Sequence, residues 1–182
     1  MRHSLLSVKM ATYQKLYYIR SLSPNNVIYQ NFRNATYYYP RMSAEKISPE
    51  FYDYSLKKEK DDDYLGKIVT ENLISFKSKK FETIVKNDVD KFKQLVKHKI
   101  QKMHDLDVGH GDLHLGNILI RELPYEVFII DWDTAYQIST GQNNEKVVDW
   151  WQENYGFETY QEFVNYDLTG WEVDLEDLLA GP

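Results

Sequence analysis

His110-Gly111-Asp112-Leu113-His114-Leu115-Gly116-Asn117, followed after a short connection by Ile129-Ile130-Asp131-Trp132-Asp133, decides how this chain is read. Ile118-Leu119-Ile120 and Val127–Ile130 are apolar runs on either side of Glu122-Leu123-Pro124-Tyr125, and this pattern predicts a β-hairpin. Asn117 and Asp131 each flank one strand at the same end of that hairpin, so pairing brings them together. Asp112 precedes Asn117 by five residues and Asp131 by 19. Each residue also has a plainer reading. An Asp after Gly can serve a turn through its own backbone bonds. Asn117 can be an ordinary loop amide. Asp131 ends an apolar run, where a carboxylate is costly unless it is paired or metal-bound.

One carboxylate to orient an attacking hydroxyl, with an amide and a second carboxylate to hold Mg²⁺ against phosphates, is the set that phosphoryl transfer from ATP uses. The step from Asp112 to Asn117 matches the H-R-D-L-x-x-x-N spacing. The form HGDLHLGN…IIDWD resembles the protein-kinase-like superfamily, in particular its atypical branches: aminoglycoside and choline phosphotransferases, lipopolysaccharide kinases and similar small kinases. The likeness is strong over residues 104–135 and thin elsewhere. It implies an α+β, protein-kinase-like fold with a mainly helical large lobe and a truncated small lobe containing a β-hairpin. It implies ATP and Mg²⁺ as cofactors, with Asp112 as catalytic base and Asn117 and Asp131 as metal ligands. His114 takes the place of a lysine that contacts the transferred phosphate, His110 holds the loop, and Asp133 is a supporting acid, in part a replacement metal ligand, or a surface residue. Asp149 would bond the catalytic-loop backbone from a helix N-terminus, or else be a surface helical acid.

The chain has 182 residues, which predicts one unit; the resemblance implies its division into a reduced small lobe and hinge over 1–42 and a large lobe over 43–182. Net charge is −6, so nothing in the composition points to nucleic acid. There is no Cys, which rules out disulfides and thiolate metal sites and fits a reducing interior. No apolar run approaches about 20 residues, so no membrane span is expected, and the N-terminus lacks the apolar core of a signal peptide. The expected location is cytoplasmic, inside a host cell if the chain is viral or a secreted effector.

Residues 4–20 read as a helix whose Tyr17-Tyr18-Ile19 end could be strand. Val27–Phe32 and Ala35–Tyr39, joined at Arg33-Asn34, read as a hairpin stopped by Pro40, which makes Tyr39-Pro40-Arg41-Met42 the hinge against which adenine stacks. Under that reading Tyr39, Arg41 and Met42 contact the nucleotide. Glu45–Asp63 reads as a solvated loop, its Lys57–Asp63 charge run included. Tyr64–Phe76 reads as a helix. Asn87 or Asp88 can cap a longer one with Val89, Phe92, Val96, Ile100 and Met103 on one buried stripe. Asn143–Tyr155 and Thr159–Val164 also read as helices, and Trp171–Leu179 is an acidic, amphipathic tail.

No G-x-G-x-x-G and no convincing V-A-I-K strand occur; Val8-Lys9 and Lys15 are weak candidates for the latter's lysine. No Asp or Glu precedes Glu45, so the first helix cannot carry the carboxylate that pairs with such a lysine. Three functions follow. An ATP·Mg²⁺ phosphotransferase acting on a protein or small-molecule hydroxyl is favoured by the intact Asp112, Asn117 and Asp131, with a protein partner completing the small lobe. A non-catalytic kinase-like binding module is favoured by the absent lid. A metal-dependent hydrolase would use His110, Asp112 and His114 as N and O ligands.

Overall fold

Strand β1 (Thr12–Ile19) runs into a turn at Ser23–Asn26 and then helix α1 (Val27–Ala44). The computed structural model describes residues 12–140, 156 and 159–181. Within them, β2 (Phe51–Lys58) and β3 (Tyr64–Glu71) form an antiparallel hairpin, and β1 pairs antiparallel with β3, so the strand order is β1-β3-β2. Tyr17 and Ile19 of β1 and Ile68 of β3 are buried with Phe32, Ala35, Tyr39 and Met42 of α1 in one core. Gly66 marks the closest approach, since a Cβ there would lie 2.8 Å from the Phe32 ring.

Several expectations are corrected here. The predicted hairpin over Val27–Phe32 and Ala35–Tyr39 is a single helix, capped by the Asn26 side chain, which accepts from Tyr29 N at 3.0 Å. Its buried residues are Phe32, Ala35, Tyr38, Tyr39 and Met42, and four of them fall three and four apart, at 32, 35, 39 and 42. Pro40 sits inside the helix without ending it. It removes one helical hydrogen bond, and the buried aromatic face holds the helix together past that point. The predicted helix over 4–20 is strand over Thr12–Ile19, as the alternative for Tyr17-Tyr18-Ile19 allowed, and residues 4–11 lie outside the described ones. The predicted loop Glu45–Asp63 contains β2, and Tyr64–Phe76 is β3 and a short strand at Ile74–Ser75 rather than helix.

Strand β4 (Ile74–Ser75) carries the chain out of this sheet towards helices α2 (Lys79–Asn87) and α3 (Val89–Asp105). Helix α3 is capped by Asp88, as the sequence suggests, and buries Phe92, Val96, Ile100 and Met103. The expected hairpin is present as β6 (Ile118–Arg121) and β7 (Glu126–Ile129), with Ile118 opposite Ile129 and β4 on its outer side. Short strands β5 (Val108–Gly109) and β8 (Tyr136–Gln137) pair across the base of the loop that holds Asp112. Helix α4 (Tyr160–Ala180) opens with a capping box between Thr159 and Glu162. It absorbs both the predicted Thr159–Val164 helix and the Trp171–Leu179 tail. The predicted Asn143–Tyr155 helix lies outside the described residues.

The chain is a mixed α+β protein with small antiparallel sheets. The expected boundary at residue 42 falls inside α1, and β1 pairs across it with β3. The sheet and α1 together span residues 12–71. Among the described residues no helix is long and apolar enough to cross a membrane.

Candidate active site

Two backbone segments form the floor of the site, and both are tied down from beneath. Asp167, on the buried face of α4, accepts from His110 N at 2.7 Å and Gly111 N at 3.0 Å. Farther along α4, Asp174 accepts from Leu115 N at 2.9 Å. Gly111 has φ +81°, and a Cβ there would meet the Thr134 carbonyl oxygen at 2.5 Å, so the turn before Asp112 requires glycine. Burial pushes the Asp167 carboxyl up to about 7, against the pull of the N–H donors of His110, Gly111 and Leu113.

His110 is fully buried and both ring nitrogens are engaged. Nε2 donates to the Ile130 carbonyl at 2.7 Å, and Nδ1 accepts from Asp112 N at 3.3 Å. Burial depresses its imidazole to about 4, so the ring is neutral at pH 7. It therefore ties the Asp112 loop to the strand that leads to Asp131. Nitrogen-15 NMR of the imidazoles should find His110 as the neutral Nε2–H tautomer at pH 6, titrating only below pH 5. An apparent value near 6.5 would contradict this burial.

Asn117 joins the two segments that carry Asp112 and Asp131. Asn117 Nδ2 donates to the Asp112 carbonyl at 2.9 Å, which leaves its amide oxygen as the group with lone pairs to offer. Ile130 N donates to the Asn117 carbonyl at 2.9 Å, so Asn117 bridges the two segments. The Asp112 carboxyl is raised by burial; the neighbouring charge of Asp131 adds to this, while His114, Lys15 and Asn117 oppose it. His114 lies beside Asp112, Nε2 to Oδ2 3.9 Å, while its Nδ1 accepts from Gly116 N at 3.1 Å.

Asp131 has φ +71°, a strained left-handed backbone that Asp tolerates better than most residues. Its N–H donates to the Tyr39 hydroxyl at 3.0 Å. Trp132, fully buried, donates its indole N–H to Ser48 Oγ at 2.6 Å, and Ser48 Oγ donates to the Ile129 carbonyl at 2.8 Å. The two acids on either side of Trp132 both meet Lys15 of β1. Lys15 Nζ is 2.5 Å from Asp131 Oδ1 and 2.8 Å from Asp133 Oδ2. Tyr17 donates its hydroxyl to Asp133 Oδ1 at 2.6 Å, and Asn34 Nδ2 donates to the Asp133 carbonyl at 3.0 Å. Burial works against every charge here. Lys15 nevertheless holds Asp131 below its ordinary range, while Asp133 is pushed up to about 6 by burial and by Asp131. Lys15 is itself raised, because the two carboxylates outweigh its burial.

The hinge expectation is corrected. Tyr39, Arg41 and Met42 lie on α1, not on a connector. Tyr39 and Met42 are core residues, and Arg41 is exposed and stacked 5.1 Å from the Tyr37 ring centroid. Tyr39 reaches the site only through its hydroxyl. Lys15, a weak candidate in sequence, is central. Asp149 lies outside the described residues, and Asp167 bonds the loop backbone. The signal for Asp167 was available: Phe163, Asp167, Trp171 and Leu175 stand four apart on one buried face, with a single acid among apolar residues. His110, Asp112 and His114 do not form a metal centre, since both His110 nitrogens are spent on backbone groups. Among the described residues no three His, Asp or Glu side chains converge on a cation site.

No protein-family model matches the chain, and the comparison with curated proteins finds no match.

Proposed function

We infer that this chain is an ATP- and Mg²⁺-dependent phosphotransferase of protein-kinase-like fold, acting on a hydroxyl acceptor. The observation that carries the reading is Lys15, a strand-borne lysine, meeting Asp131 beside the Asp112–Asn117 loop. A strand lysine, a catalytic-loop Asp and Asn, and an Asp after the next hairpin are the parts a kinase uses. The order strand, helix, two strands, then a helical region holding the loop supports the same reading.

The donor set suits Mg²⁺, which takes hard oxygens and is commonly held by one or two carboxylates together with substrate phosphates. Asp131 supplies a carboxylate and Asn117 an amide oxygen. Bound there, the ion would neutralise charge on the phosphates. Asp112 would orient the acceptor hydroxyl and take its proton, a task helped by a carboxyl raised above its ordinary value. Lys15 would contact the phosphates. Adenine would lie at the connector Glu71-Asn72-Leu73, where the chain leaves the three-stranded sheet, in place of the α1 residues first expected. Asp112 and His114 side chains are about half exposed (46% and 44%), so an acceptor can approach.

A thermal shift with ATP and with ATP plus Mg²⁺ tests this. Stabilisation that requires Mg²⁺, followed by transfer to a panel of hydroxyl peptides and amino-alcohols, is the expected result. No Mg²⁺-dependent nucleotide binding would overturn the reading. Binding without transfer would favour the kinase-like binding module instead. That second reading draws support from Lys15 resting on Asp131 itself, and from the lack of any Gly-rich lid motif in the sequence.

A further inference from the structure

Lys15 is a largely buried cation, its side chain 24% exposed, and it needs a fixed counter-charge. Helix α1, which packs against β1, contains no Asp or Glu, and none occurs anywhere before Glu45. The carboxylates at Lys15 are Asp131 and Asp133, and the two are built differently. Asp131 is the more open, 35% exposed against 15% for Asp133. One Asp133 oxygen holds Lys15, the other accepts from Tyr17 of β1, and its carbonyl accepts from Asn34 of α1. Asp133 is thus fixed from two elements besides its own loop. A divalent cation on Asp131 would compete for the oxygen that Lys15 now occupies and would repel the ammonium.

We propose that Asp133 is the positioning residue for Lys15, standing in for a helix-borne acid and keeping the ammonium at the phosphate site when Asp131 is taken by a divalent cation. The anchoring stands on the ion pairs themselves; the exchange at Asp131 rests on the phosphotransferase reading.

Lys15 acylation by a succinimidyl ester, read by peptide mass spectrometry on the intact chain, follows the anchor directly. Lys57, 75% exposed, is the internal reference. Asp133→Asn should raise Lys15 labelling about tenfold, the effect of losing an opposite charge at hydrogen-bond distance, and Asp133→Glu should restore most of the protection. Adding Mg²⁺ and an ATP analogue should not increase labelling in the wild type, whose nucleotide shields the amine. Asp133→Asn should also raise the KM for ATP about tenfold, the scale of one charge-assisted contact, while leaving the KM for the acceptor unchanged. Tyr17→Phe strips support from Asp133 but keeps both charges. It should raise labelling in the same direction with smaller amplitude, and it decides the matter if Asp133→Asn does not fold. Unchanged Lys15 labelling in folded Asp133→Asn, or in folded Tyr17→Phe if it must stand in, overturns the proposal. Raised labelling in a protein whose wild type binds no Mg²⁺·ATP keeps the anchor and rejects the phosphotransferase reading instead.

Discussion

Asp167→Ala should be the most damaging single substitution to stability among the residues beneath the site. The Asp167 carboxyl is 1% exposed and receives two backbone N–H groups from the turn before Asp112. Alanine leaves both donors buried without partners, each at about 1–3 kcal/mol. Part of that loss is returned, because a carboxyl that burial has pushed up to about 7 carries its own desolvation cost, which disappears with it. The expected net loss is about 3 kcal/mol, the scale of removing one member of a buried charged network, and a Tm lower by roughly 10 °C at this chain length. Asp167→Asn can accept with only one of its two terminal atoms, so it should lose about half as much. Urea denaturation with both variants checks the order. An Asp167→Ala midpoint equal to the wild type would mean that α4 does not hold this turn.

The second large effect is expected on the proposed phosphate transfer. Asp112→Asn removes the proposed base but leaves the backbone carbonyl that Asn117 grips. Phosphate transfer should fall about 10²–10⁴-fold, the usual contribution of a positioned acid or base, while the Mg²⁺-dependent thermal shift persists. Asp131→Ala should instead abolish that shift and transfer together. The two variants therefore separate proton handling from cation binding. Transfer at the wild-type rate by Asp112→Asn would reject the assigned role. Loss of the thermal shift in Asp112→Asn but not in Asp131→Ala would reverse the two assignments.

The Asp112–Asp133 region and the helix before it were legible because their signals are local. Asp88 caps α3, Phe92 to Met103 repeat at helical spacing, and two apolar runs flank a four-residue connection. The sheet and α1 were not legible, for reasons that can be named. In β3 the inward residues include Gly66 and Thr70 while the opposite face carries Leu65 and Val69, so the alternation that marks a half-buried strand is erased. Helix α1 is rich in Tyr and carries Pro40, both of which argue for strand and turn in isolation; packing of Phe32 on Gly66 and on Tyr17, ring centroids 5.3 Å apart, overrides them. Lys15 was weak in sequence because nothing nearby in the chain pairs with it. Its partners lie more than 110 residues away. Asp133 was left open between a supporting acid, a replacement metal ligand and a surface residue for the same reason.

Trp132 gives these long-range contacts their mechanical meaning. Its ring fills a closed slot edge-on to His110, centroids 4.9 Å apart, and its indole is fastened to Ser48. The residue between the two acids is therefore a rivet, and moving the backbone that carries them would mean opening the core. The contacts that hold this backbone are all within the folded chain. A ligand docking on this corner would not have to freeze that backbone on arrival, so its affinity would be undiminished by that entropy.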